Sequence, residues 1–131
     1  MTYVRNAVDY IKREFDVDSC QIASDLAESI DRPPSDIDGF RADVYVNTPR
    51  YIIIGEAKTD GDIEKKHTYA QLASYIKEAK TFDKERHIVM SCSMAAYPTM
   101  RNFIRRFRKH NDVPDIIFHT VDPFKKGERL L

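Results

Sequence analysis

The segment Tyr51-Ile52-Ile53-Ile54-Gly55-Glu56-Ala57 constrains this chain more than any other. Its β-branched and aromatic residues read as a strand, and apolar residues occupy both parities. Such a strand is covered on both faces, which calls for layers above and below it. At 131 residues the chain is one domain with a single core. A hydrophobic fraction of 42% beside 32% charged residues excludes collagen-like and low-complexity chains and argues against disorder. No apolar run approaches the roughly 18 residues of a membrane span, and the first residues lack the apolar stretch of a secretory signal. Cys20 and Cys92 are too few and too far apart for a disulfide framework. These features lead us to expect a soluble, cytoplasmic protein with no membrane partner.

The elements succeed one another with short breaks and no repeat. Val4, Ala7, Val8, Ile11 and Phe15 recur at helical spacing, predicting a helix over about 2–15. Asp18 with Gln21 reads as a capping box for a second helix reaching about Ile30. The breaker-rich stretch 32–39 reads as a loop. Strands over Phe40–Val46 and Tyr51–Ala57 then form a hairpin across Asn47-Thr48-Pro49-Arg50. A helix over about 65–80, a strand over 87–91, a helix over about 95–110 and a last strand over 115–121 complete the chain. The expected fold is α/β or α+β, a mixed central sheet flanked by helices.

The hairpin also carries chemistry. Either of its simplest loops puts Val46 opposite Tyr51, Asp43 opposite Ile54 and Arg41 opposite Glu56. Side chains alternate along a strand, so Asp43, Ile54, Glu56 and Lys58 share a face. Asp43 and Glu56 are then diagonal neighbours, with Cβ atoms roughly 7–8 Å apart or less. Two carboxylates so placed hold a hard divalent cation such as Mg²⁺ with several waters retained. Lys58 is placed to hold a water or hydroxide and to offset charge on a phosphate, which is equipment for metal-assisted phosphodiester hydrolysis. Glu-x-Lys recurs at Glu64-Lys65-Lys66 and Glu78-Ala79-Lys80, but only Glu56-Ala57-Lys58 closes an apolar strand. On the next helix His67, Gln71 and Tyr75 lie at i, i+4 and i+8, one stripe returning over the Glu56 end of the strand.

Asp43, then Glu56-Ala57-Lys58, then Gln71-Leu72-Ala73-Ser74-Tyr75, resembles the PD-(D/E)XK nuclease superfamily. The Gln-x-x-x-Tyr spacing is similar to its RecB-like branch, and VRR-NUC-type proteins and Holliday-junction resolvases share the same core. The resemblance covers about residues 40–91 and implies a restriction-endonuclease-like αβββαβ core. It implies Asp43 and Glu56 as ligands of Mg²⁺, with Mn²⁺ as a substitute, and the Ala57 carbonyl as a backbone ligand. Lys58 becomes the catalytic lysine, with Gln71 and Tyr75 organising the site or touching the nucleic acid. Ala42 stands where the family pattern has proline. Members often add a helix acid; Glu14, flanking the apolar stripe of the first helix, is the choice here, since Glu28 points away from its own.

The net charge of zero hides a dipolar chain. Residues 1–40 hold nine acids against four Lys or Arg, and residues 86–131 hold nine Lys or Arg against four acids. Arg101, Arg105 and Arg108, joined by Lys109, form a stripe that could track a phosphate backbone, with Lys65 and Lys66 as weaker candidates. The expected function is Mg²⁺-dependent endonucleolytic cleavage of DNA, structure-selective, with branched, single-stranded or duplex DNA as partner. A homodimer or larger assembly would widen the footprint. The rival is a catalytically inactive nuclease-fold subunit that binds nucleic acid or a protein partner.

Overall fold

The computed structural model describes residues 2–24, 26, 36–124 and 127–130. Helix α1 (Thr2–Phe15) forms as its periodicity requires and buries Val4, Ala7, Val8, Ile11 and Phe15. It stops at Asp16, whose φ of 51° is the left-handed conformation that ends many helices.

The expected second helix does not form over the described residues. Gln21 Oε1 accepts the Asp18 amide at 3.0 Å, but this cap closes one 3-10 turn, Ser19–Gln21. The chain then extends as β1 (Ile22–Ser24), which pairs antiparallel with β4 (Val44–Asn47). Burial of Ile22 against the sheet overrides the local helix signal. Residues 25 and 27–35, covering the rest of that expected helix and the start of the expected loop, lie outside the described residues. The remainder of the loop holds a small hairpin, β2 (Asp36–Ile37) and β3 (Phe40–Arg41). Asp38 and Gly39 turn it with φ of 50° and 81°, the positive pair that a two-residue primed turn demands.

The strand expected over 40–46 is interrupted at Ala42–Asp43 and resumes as β4. Then come β5 (Tyr51–Ala57), α2 (Lys66–Ala79), β6 (Glu85–Ser91), α3 (Tyr97–His110) and β7 (Ile116–Val121). β7 is not the last strand: β8 (Gly127–Leu130) comes after it and pairs antiparallel with it. Six strands form one open mixed sheet in the order β1-β4-β5-β6-β7-β8, with β5, β6 and β7 parallel. The described chain is therefore a mixed α+β fold with three helices on the sheet.

Parallel neighbours need crossovers, and crossovers of one hand in one direction put their helices on one face. Accordingly α2 and α3 share a face, covering Ile52, Ile54, Ile88, Met90 and Phe118. On the other face α1 covers Val44, Val46, Ile53, Val89 and Val121. The two-sided burial expected of β5 is met by these two layers. Among the described residues no helix is long and apolar enough to cross a membrane.

Candidate active site

The hairpin fixes the site. Thr48 N–H donates to the Tyr51 carbonyl at 2.9 Å, so the loop is Pro49-Arg50 and Val46 pairs with Ile53. The expected register, Val46 with Tyr51, is displaced by two residues. An even displacement preserves side-chain parity, so the shared face survives, but the carboxylates come closer. The ladder ends at Val44–Gly55, and the next positions are Asp43 and Glu56, opposite rather than diagonal.

There the carboxylates replace the ladder. Ala57 N–H donates to Asp43 Oδ2 at 2.9 Å, and Asp43 N–H donates to Glu56 Oε2 at 3.3 Å. Each side chain thus takes a main-chain donor from the other's strand, which explains the break in the strand at Asp43. A residue in an antiparallel pair turns its N–H and C=O toward the same neighbour, so the Ala57 carbonyl faces the Asp43 side. Gly55, just before Glu56, permits the close approach: a Cβ there would lie 3.1 Å from Val44 Cβ.

Helix α2 delivers two of the three stripe residues. Gln71 Nε2 donates to Glu56 Oε1 at 3.1 Å, and the Tyr75 hydroxyl donates to Glu56 Oε2 at 3.0 Å. His67 does not join them; it is exposed and sits edge-on to Phe40 with ring centroids 5.2 Å apart. Lys58 Nζ lies 3.8 Å from Glu56 Oε1, and its main-chain N–H donates to the Ser91 carbonyl at 2.9 Å. From sequence alone Ser91 is only a strand end; its contribution comes from the parallel register that sets it beside Ala57.

Glu56 is 6% exposed and Lys58 9%. Burying charge in this way is costly without a compensating role. Burial first, and the neighbouring Asp43 second, push the Glu56 carboxyl up to about 8, against the opposing pull of Lys58 and Tyr75. Burial and the adjacent Glu56 in turn raise the Tyr75 hydroxyl. Gln71 Oε1 is buried in this cluster with no hydrogen-bond partner. A carboxyl driven toward neutrality by burial and by a second carboxyl, beside an unfilled acceptor, is a recurrent property of functional sites.

Other candidates lie elsewhere. Glu14 is exposed at the end of α1, on the opposite face of the sheet from Glu56. Its neighbour Phe15 packs on Tyr51 and His87, ring centroids 5.0 and 4.6 Å away. That is the starting end of β5, roughly 17 Å along the strand from Glu56. Helical spacing sets Glu14 beside the apolar stripe, but which sheet face α1 covers is decided by tertiary packing. Among the described residues no group of three or more His, Cys, Asp or Glu side chains is placed to hold a metal ion.

The basic stripe lies over β7 and β8, two to three strands from Glu56, or roughly 10–15 Å at the usual strand spacing. Arg101 pairs with Glu128 at 3.4 Å, and the Arg108 guanidinium sits over the Phe118 ring, 5.8 Å from its centroid. Arg105 and Lys109 are exposed and, with Arg108, line a cavity of about 300 Å³. Lys65 pairs with Asp62 at 2.8 Å, and Lys66 is exposed at the start of α2. Asp62 also accepts from the Thr59 hydroxyl at 2.6 Å, so it builds the turn that leads into α2.

The chain matches no protein-family model, no curated protein and no solved structure.

Proposed function

We propose that this chain is a metal-dependent nuclease domain of the PD-(D/E)XK type, hydrolysing phosphodiester bonds in DNA. The observation that carries this reading is the exchange of main-chain donors between Asp43 and Glu56, with Lys58, Gln71 and Tyr75 gathered on the same carboxylate. The element order supports it as well. Helix α1, strands β1, β4 and β5, helix α2 and strand β6 keep the αβββαβ order, with neighbouring strands adjacent in the sheet. The β2–β3 hairpin is an insertion in that order, and α3, β7 and β8 extend it.

The donor set suits Mg²⁺. Two carboxylates and a carbonyl make a partial oxygen shell, which fits a cation that keeps several waters. The elevated Glu56 carboxyl and the orphaned Gln71 Oε1 both call for a positive or proton-donating group between them. Asp43, Glu56 and the Ala57 carbonyl would hold the ion, which supplies Lewis-acid polarisation of the phosphate and a more acidic water when bound. Lys58 places its ammonium beside the reacting phosphate, where it holds the attacking water and offsets charge developing in the transition state. Gln71 and Tyr75 fix the Glu56 carboxylate in one orientation. Their hydrogen bonds also keep bulk water from its inner side.

The test is cleavage of linear duplex, single-stranded, flap and four-way DNA in Mg²⁺, in Mn²⁺ and in EDTA, with Lys58→Ala beside the native chain. Metal-dependent cutting lost in the variant supports the proposal, and the preferred substrate names the class. Absence of cutting, with salt-sensitive DNA binding unchanged in Lys58→Ala, replaces it with an inactive nucleic-acid-binding subunit.

A further inference from the structure

Three buried groups and the exposed Glu85 form a continuous chain on the sheet face opposite the carboxylates. The Tyr10 hydroxyl lies 2.8 Å from His119 Nδ1, His119 Nε2 lies 2.9 Å from His87 Nδ1, and His87 Nε2 lies 3.3 Å from Glu85 Oε1. Both imidazoles are fully buried, packed edge-on against Phe15 of α1, with Tyr51 beside His87. In the sequence the four histidines show no His-x-x-x-His or His-Cys spacing and carry no zinc signature. The parallel pairing of β6 with β7 is what brings His87 and His119 together.

The direction of every link is set from one end. An ionised Glu85 only accepts, so His87 donates from Nε2 and its Nδ1 accepts. His119 must then donate from Nε2 and accept at Nδ1, which makes the Tyr10 hydroxyl the first donor. Three protons serve three links. A fourth, placed on His87 Nδ1, opposes His119 Nε2–H. If the His119 proton moves to Nδ1 to make room, it opposes the Tyr10 hydroxyl, and that hydroxyl proton is left without an acceptor in the chain.

We infer that the Tyr10–His119–His87–Glu85 chain is an acid-sensitive latch, holding α1 on the sheet while both imidazoles are neutral and loosening it when a proton enters. The surrounding charges favour the neutral state. Burial first lowers both histidines, His119 to about 3, and His87 and Arg129 lower His119 further. Glu85 pulls His87 the other way but is shared with Arg50 at 3.3 Å. Around Tyr10, burial first and then Glu14 push the hydroxyl up to about 12, against the opposing pull of Arg129 and of Arg13, which stands 5.8 Å over the ring. Because the unfolded histidines take up protons near 6.5 and the folded ones do not, the latch is complete above that pH. Its contribution is lost progressively as pH falls through the window down to the folded values. Helix α1 braces Val44 and Ile53 from behind, so its release unsettles β4 and β5 together.

The test is NMR on the full chain between about pH 7.5 and 2.5, a range that takes in both folded histidines. Long-range ¹⁵N–¹H correlation should show both imidazoles neutral with the proton on Nε2 at pH 7.5. Amide exchange in α1, corrected for intrinsic rates, should rise tenfold or more at the pH where the imidazoles protonate, before α3 opens. His87→Gln, which cannot titrate, should flatten that dependence; if this variant does not fold, coincidence of the two titrations in the native chain decides. Opening of α1 with both imidazoles still neutral, protonation without a change in α1, or a single global transition would each overturn the latch.

Discussion

Replacing Glu56 by Gln distinguishes a carboxylate held for a ligand from one held for the fold. With no cation bound, burial and Asp43 raise this carboxyl to about 8 from an ordinary 4.5. Between those values the unfolded chain releases the proton while the folded chain retains it, so rising pH favours unfolding. At pH 7 the penalty is roughly 3 kcal/mol, at about 1.4 kcal/mol for each pH unit above the ordinary value. Gln removes that penalty but points an NH₂ at either Gln71 Nε2 or the Tyr75 hydroxyl, a mismatch of about 1–2 kcal/mol. Urea unfolding in EDTA should therefore find Glu56→Gln less stable than the native chain at pH 4.5. At pH 7 the order should reverse, with the variant more stable by about 1–2 kcal/mol. A variant less stable at both values, by a similar margin, would refute the reasoning. It would mean that the pair with Lys58 keeps Glu56 ionised and structural, as in a buried salt bridge.

The same geometry makes three further predictions. Lys58→Met, which keeps the buried stem, should leave the melting temperature within a few degrees while single-turnover cleavage falls by about 100-fold or more. Gly55→Ala presses a methyl against Val44, which can retreat only toward α1; thermal melts should report a loss of about 1–3 kcal/mol, with cleavage reduced as Asp43 shifts. Arg105→Glu with Lys109→Glu should weaken DNA binding at low salt. The slope of log affinity against log salt should flatten by roughly one for each phosphate that the altered side chains cease to neutralise.

Periodicity and burial decide the elements that the sequence makes legible. Helix α1, strand β5 and helices α2 and α3 appear where apolar spacing places them, because each has a full face to bury. β1 and β8 are three and four residues long, too short to show a period, and exist because a neighbouring strand offers a ladder. Asp18 and Gln21 mark a real cap but not a helix, since a cap satisfies one turn and leaves the conformation of the next residues open. The face shared by Asp43, Glu56 and Lys58 is readable because parity survives an even register shift. The direct opposition of the two acids is not, because it depends on a turn at Pro49-Arg50 and its register. Helical spacing finds Gln71 and Tyr75, whereas the misplacement of Glu14 shows what a helical wheel omits: which side of the sheet the helix covers.

The most direct measurement is a titration of the metal-free chain with Mg²⁺ at pH 7.5, monitored by backbone amide shifts, beside Asp43→Asn. The account predicts saturable changes centred on Asp43, Glu56, Ala57 and Lys58, absent in the variant, with a rise in unfolding stability as the ion binds. Shifts that never saturate, or that persist in Asp43→Asn, would contradict the assignment of this carboxylate pair as a cation site.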